Sequence, residues 1–190
     1  MNVICLEGCH GVGKSTICEH LIEQGEIVLD EMFIDMPHYD IIHSQSLTME
    51  FIWVANWFNR LLRLYEQHKG KTIYADRSPY CALYYSKCTE SEQAAFKQLI
   101  YSQIQEMSKV GIKITTVNIS VDSEILWVRI QDRLAKEPFR RNFSEDSRDW
   151  MDKTYKWYQS FTWDFNIDNT SNDGYKSILS TVIADVKQVK

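Results

Sequence analysis

The chain is expected to fold as an α/β protein, a parallel sheet covered by helices on both faces. Three observations lead there: short apolar runs of strand length, longer stretches with apolar residues at helical spacing, and the alternation of the two along the chain. The 190 residues suit a single domain spanning 1–190, and 44% hydrophobic residues suffice for a core. No internal repeat, low-complexity tract or linker marks a second domain.

The first elements frame a motif. Val3-Ile4-Cys5-Leu6 is an apolar run suited to a buried parallel strand, and Thr16–Ile22 carries apolar residues at 17, 21 and 22, a helical spacing. Between them Glu7-Gly8-Cys9-His10-Gly11-Val12-Gly13-Lys14-Ser15-Thr16 reads Gly-x-x-x-x-Gly-Lys-Ser, the phosphate-binding loop pattern. Glycines let successive N–H groups curl towards an anion, and the helix N-terminus adds the positive end of its dipole. Gly8, His10, Gly11, Val12, Gly13, Lys14, Ser15 and Thr16 are therefore candidate binders of ATP. Lys14 would reach the β and γ phosphates, and Ser15 would bind Mg²⁺. The fold expectation sharpens to a P-loop NTPase-type three-layer α/β/α arrangement around a five-stranded parallel sheet.

Glu26–Glu31 reads as the second strand, ending in two carboxylates at the edge where open α/β sheets place ligands. After Pro37, Ser46–Lys69 is a long helix rich in aromatics: Phe51, Trp53, Trp57, Phe58 and Tyr65. Lys71–Ala75 is the third strand and delivers Asp76-Arg77-Ser78-Pro79. A helix over 91–109 follows, then a fourth strand from Ile112 to Ser120. Asp122 or Ser123 caps a helix running to Ala135. Lys136–Arg148 breaks the pattern with Pro138, Arg140 and Arg141, and reads as a mobile Arg-rich lid. Trp150–Phe161 is helical, Trp163–Ile167 a fifth strand, 168–174 a polar loop and Tyr175–Val189 a final helix.

Asp76 ends a strand, where a phosphate-loop protein places its magnesium-side carboxylate; with Ser15 it forms the candidate metal pair. Arg77 beside it would hold the acceptor or the transferring phosphoryl group. Arg133, Arg140 and Arg141, with Arg129 equally eligible, would neutralise charge developing on the γ-phosphoryl group. Glu31 is the candidate general base, since an alcohol acceptor benefits from a carboxylate that takes its proton whereas an anionic phosphate oxygen does not. An ordinary exposed carboxylate or helix-cap acid is the alternative. Asp30 would point the other way, because strand side chains alternate. Most of Phe51, Trp53, Trp57 and Phe58 should pack the core, although a planar base needs an apolar slot and this helix follows the acceptor-side strand.

Composition excludes some classes. A net charge of −5 argues against a general nucleic-acid binder. The N-terminus lacks a signal-peptide pattern, and no apolar stretch approaches the roughly 20 residues of a membrane span. The five cysteines form no Cys-x-x-Cys pair, so reduced thiols in a cytoplasmic setting are expected. The five histidines show no metal-ligand spacing.

Taken together, Glu7-Gly8-x-x-Gly-x-Gly-Lys-Ser-Thr, Glu31, Asp76-Arg77-Ser78 and the Arg-rich lid resemble the deoxynucleoside kinases and their sister thymidylate kinases. The likeness runs from residue 3 to about 170, and the phosphate loop is its most specific part. It implies an ATP- and Mg²⁺-dependent kinase acting on the 5′-hydroxyl of a deoxynucleoside, with Glu31 as general base and Arg77 at the acceptor end. Asp76 stands where the deoxynucleoside kinases carry Glu, and Asp-Arg also begins the thymidylate kinase motif. The Phe-Gln pair with which deoxynucleoside kinases read the base is absent near Phe51-Ile52-Trp53, so Asn56 or Gln45 would read the base instead, with Phe51 and Trp53 as further substrate-binding candidates. The Arg-Glu-Pro sequence of thymidylate kinases is absent after the second strand, where Asp30-Glu31-Met32 stands. A thymidylate-type monophosphate kinase is the nearest alternative, and a nucleotide-binding switch a further one, without the Asn-Lys-x-Asp motif of a GTP switch. The partners expected are a small-molecule nucleoside or nucleotide and a possible second copy as a homodimer, with no nucleic acid and no membrane.

Overall fold

The computed structural model describes residues 1–32, 36–171 and the single positions 176 and 180. Its elements run β1 (Asn2–Glu7), α1 (Lys14–Glu23), β2 (Ile27–Leu29), α2 (Leu47–Gln67), β3 (Ile73–Asp76), α3 (Cys81–Tyr85), α4 (Glu90–Lys109), β4 (Lys113–Ser120), α5 (Ser123–Lys136), a 3-10 helix (Pro138–Phe143), α6 (Arg148–Ser160) and β5 (Phe165–Asp168). The strands form one five-stranded sheet in the order β2-β3-β1-β4-β5. The β2–β3 pair runs parallel with Ile27 opposite Ile73, and β4–β5 runs parallel with Val117 opposite Phe165. The architecture is the three-layer α/β/α P-loop NTPase type.

Two compact units emerge, Met1–Cys5 with Gln24–Thr115, and Leu6–Glu23 with Thr116–Lys190. In the first, α2 buries Met49, Trp53, Val54, Trp57, Phe58 and Leu61, a helical stripe. Of the four aromatics expected mostly in the core, Trp53, Trp57 and Phe58 are buried and Phe51 is not. It is 47% exposed, because two positions from Trp53 turn it about 200° round the helix, away from that stripe. In the second unit Leu126, Ile130, Leu134, Met151 and Tyr158 are buried, and Tyr158 stacks on Trp163 at 5.6 Å between ring centroids.

Side chains fix the helix starts. Ser46 accepts from Met49 N at 3.3 Å, Ser147 from Trp150 N at 3.2 Å, and Asp122 from Glu124 and Ile125, so Asp122 is the cap of α5. Thr89 and Glu92 form a reciprocal capping box on α4. The backbone carries three further differences from expectation. β2 is three residues long and leaves Asp30 and Glu31 beyond its end; α3 follows Pro79 in a stretch with no amphipathic period; and part of the expected lid loop is a 3-10 helix opened by Pro138. Apart from Lys176 and Ser180, the expected helix over Tyr175–Val189 lies outside the described residues. Among the described residues no helix is long and apolar enough to cross a membrane.

Candidate functional site

In the second unit, the loop after β1 curls as its glycines require. Gly8 has φ +135°, and a Cβ there would sit 2.4 Å from the Ile119 carbonyl oxygen of β4, so no other residue fits. Gly13 has φ +101° and lies against the Asn169 side chain. The first helical bond of α1 runs from Ile17 N to Gly13 O, so the amides ahead of it precede the helix's own ladder, as at any helix start. Lys14 is buried and donates to the carbonyls of Gly8 at 2.9 Å and Cys9 at 3.0 Å, folding back over the loop. Val12 and His10 are buried, His10 Nδ1 lying 3.5 Å from Cys9 Sγ, while Ser15 and Thr16 are exposed at the first turn of α1.

A residue that sequence reading left in a polar loop supports this loop from below. Asn169, 4% exposed, donates from Nδ2 to Val12 O at 2.8 Å. Its own carbonyl accepts two bonds from the Arg129 guanidinium, which also donates to Thr170 O at 2.9 Å. Burial pulls Arg129 below its ordinary pKa, with Asp168 opposing the shift. Asp168 in turn holds Thr170 N and Oγ1. Arg129 therefore fastens the strand-end loop that braces the glycine loop.

Arg133 and Arg140 converge on one carboxylate. Glu145 is buried and accepts from Arg133 Nη2 and, at 3.3 Å, from Arg140 Nη1, while Arg140 Nε donates to Glu137. Arg133 Nε is buried with no hydrogen-bond partner among the described residues. Arg141 is exposed. Sequence reading passed over Glu145 because one acid in a charged stretch carries no periodic signal. Arg140→Ala is expected to lower turnover about tenfold and stability by about 1–2 kcal/mol, since it strips one charged hydrogen bond from Glu145. Arg141→Ala is expected to lower turnover alone; full turnover in both variants and in the double variant would make this segment a solvated loop. Initial rates and urea midpoints on the same preparations separate the two effects.

In the first unit, Glu31 and Arg77 meet. Arg77 Nε donates to Glu31 Oε1 at 2.6 Å, with the arginine side chain 6% and the glutamate 33% exposed. Both lie by left-handed backbone: Arg77 has φ +72° and Met32, after Glu31, has φ +46°. Such conformations cost of order 1 kcal/mol or more in non-glycine residues and persist where surroundings impose them. The surroundings here are two indoles of α2. Trp53 Nε1 donates to Glu31 O at 3.0 Å, and Trp57 Nε1 to Arg77 O at 3.2 Å. The Arg77 guanidinium also lies 5.5 Å over the Tyr85 ring of α3. Asp30 turns elsewhere and pairs with Arg60, its side chain 72% exposed. Asp76 is buried at the end of β3, and Asn56 is half-buried on α2.

Glu50 is the third residue that sequence reading missed, hidden as an ordinary first-turn acid between Met49 and Phe51. Burial, then the nearby charge of Glu31, push its carboxyl up to about 8, so at neutral pH it is an uncharged acid. The consequence for stability has a definite sign. With its folded value raised, Glu50 favours folding fully below about 4.5, and that contribution is lost as pH rises towards 8. Glu50→Gln is expected to match the wild type below pH 4.5 and to exceed it at pH 8, by up to about 1.4 kcal/mol for each intervening pH unit. Urea unfolding at both pH values checks this; a gap that does not grow with pH would refute it.

A family profile described as an AAA domain matches residues 4–149. No curated protein sequence matches the chain. Among solved structures, a shikimate kinase from Bacteroides thetaiotaomicron superposes with a TM-score of 0.52 at 14% identity, over 95% of this chain and 98% of that one. A gluconokinase from Sinorhizobium meliloti gives 0.48 at 11% identity, over 100% and 98% of the two chains. At such identities the first likeness speaks for the fold alone, and the second carries no argument.

Proposed function

The chain belongs to the AAA domain family, and we propose that it is an ATP- and Mg²⁺-dependent kinase phosphorylating the 5′-hydroxyl of a deoxynucleoside. The observation that carries the acceptor side is the Glu31–Arg77 pair, a carboxylate past the end of β2 held by a guanidinium at the end of β3. A hydroxyl must lose its proton as it attacks, and a positioned carboxylate can accept it. A monophosphate acceptor would meet repulsion from that same group. Glu31 is therefore assigned as general base, Arg77 as its positioning partner and a ligand of the acceptor oxygen.

The loop from Gly8 to Thr16 would hold the triphosphate through its amides and Lys14. Arg133, Arg140 and Arg141 would take up charge on the transferring group, and the buried, unpartnered Nε of Arg133 suits a phosphate oxygen. The Ser15 hydroxyl and Asp76 carboxylate are hard oxygen donors of the kind Mg²⁺ accepts alongside phosphate oxygens. When bound, the metal supplies neutralisation of the phosphate charge. Trp53 bounds the acceptor side; Phe51 and Asn56 remain candidates for contacting the base. The whole of 1–190 would act as one kinase domain in the cytoplasm, alone or as a homodimer.

A substrate screen tests the assignment. Purified protein with ATP and Mg²⁺ is expected to convert at least one deoxynucleoside to its monophosphate, resolved chromatographically, and to leave monophosphates unchanged. Phosphorylation of thymidine monophosphate alone would replace this reading with the thymidylate-type one.

A further inference from the structure

Glu50 lies three positions before Trp53 and seven before Trp57, so the three follow one side of α2. That side is fixed over the acceptor pair, because the two indoles bond the backbone of Glu31 and Arg77. Glu50 is half-buried there, and its carboxyl makes no hydrogen bond or ion pair with any described residue. The neighbouring cations are engaged elsewhere. Arg77 donates to Glu31, Arg60 pairs with Asp30, and Lys87 and His43, beside the start of α2, contact each other at 2.9 Å. The charge that reaches Glu50 is the negative one of Glu31.

We propose that the Glu50 carboxyl binds the phosphoryl acceptor directly, donating one hydrogen bond to it and accepting another from an adjacent group. The proposal rests on the kinase reading above and narrows the acceptor. A carboxylic acid offers one O–H donor beside one C=O acceptor. Its complement is an acceptor atom next to an N–H, the pattern on the Watson–Crick edge of a nucleobase. Glu50 thus takes the base-reading role that the sequence left open between Asn56 and Gln45. Only the neutral form can donate, and the ionised form would set two carboxylates side by side. Acceptor binding is therefore coupled to one proton, held on Glu50 up to about pH 8.

The test follows acceptor KM, ATP KM and kcat from pH 6 to 9.5 for the wild type, Glu50→Gln and Glu50→Ala, using the deoxynucleoside that the screen selects. In the wild type, acceptor KM is expected to be flat to about pH 8 and then to rise about tenfold per pH unit, while ATP KM stays flat. Glu50→Gln keeps one donor and one acceptor without a titrating proton, so its acceptor KM should stay near the wild-type neutral value across the range. Glu50→Ala should raise acceptor KM about 10- to 100-fold at every pH, with kcat little changed. Near-ultraviolet circular dichroism at each pH establishes that the variants are folded. An alkaline rise that survives in Glu50→Gln, or an Ala variant that binds the acceptor as tightly as the wild type, overturns the assignment of Glu50. A wild type that phosphorylates no nucleoside overturns the kinase reading itself, and the two failures are thereby distinguished.

Discussion

Glu31→Gln is expected to remove most nucleoside phosphorylation, about 10²–10⁴-fold in kcat, while ATP affinity stays close to that of the wild type. Glutamine keeps the shape and an oxygen for the Arg77 Nε–H bond, so Arg77 stays near its position and the loss reports proton acceptance. Asp30→Asn serves as the control. Asp30 pairs with Arg60, largely in solvent, and its replacement should change turnover by less than about threefold. Assaying both variants with thymidine and thymidine monophosphate decides the acceptor. If the wild type prefers the monophosphate and Glu31→Gln leaves that activity unchanged or raised, the nucleoside assignment fails.

Lys14→Ala should lower turnover by on the order of 10²-fold or more, because a lysine on the phosphates acts most strongly as charge shifts during transfer. The substitution also removes two donors from the carbonyls of Gly8 and Cys9, so the loop itself could loosen. Lys14→Met retains the aliphatic stem and separates charge from packing. Both variants should melt within a few degrees of the wild type without nucleotide and lose the stabilisation that ATP confers on it. Near-normal turnover in either variant would end the kinase reading.

The course of the glycine loop was legible because it is local: strand, glycines and helix adjoin in the chain. The long stripe of α2 and the Asp122 cap were legible for the same reason. Which of the four aromatics faces outward was not legible, because an aromatic next to a buried stripe looks like part of it until the helix phase is fixed. Glu50, Glu145 and Asn169 escaped because their roles depend on partners distant in sequence. Glu50 acquires its character from burial first and then from Glu31, Glu145 from Arg133, and Asn169 from Val12, none of which any spacing rule connects. The short α3 escaped because five residues are too few to show a period.

The bond from Asn169 to Val12 spans 157 positions, and Ile119 packs on Gly8 across more than 100. Closing spans of that length carries a large entropic cost, and contacts of this separation tend to form late in folding. The residues that make up the glycine loop are synthesised well before their brace, which lies 157 positions further on. A nascent chain halted before Asn169 should therefore carry the complete loop sequence and bind ATP poorly. Nucleotide capture would then report that the chain has been made as far as Asn169 and has closed on Val12.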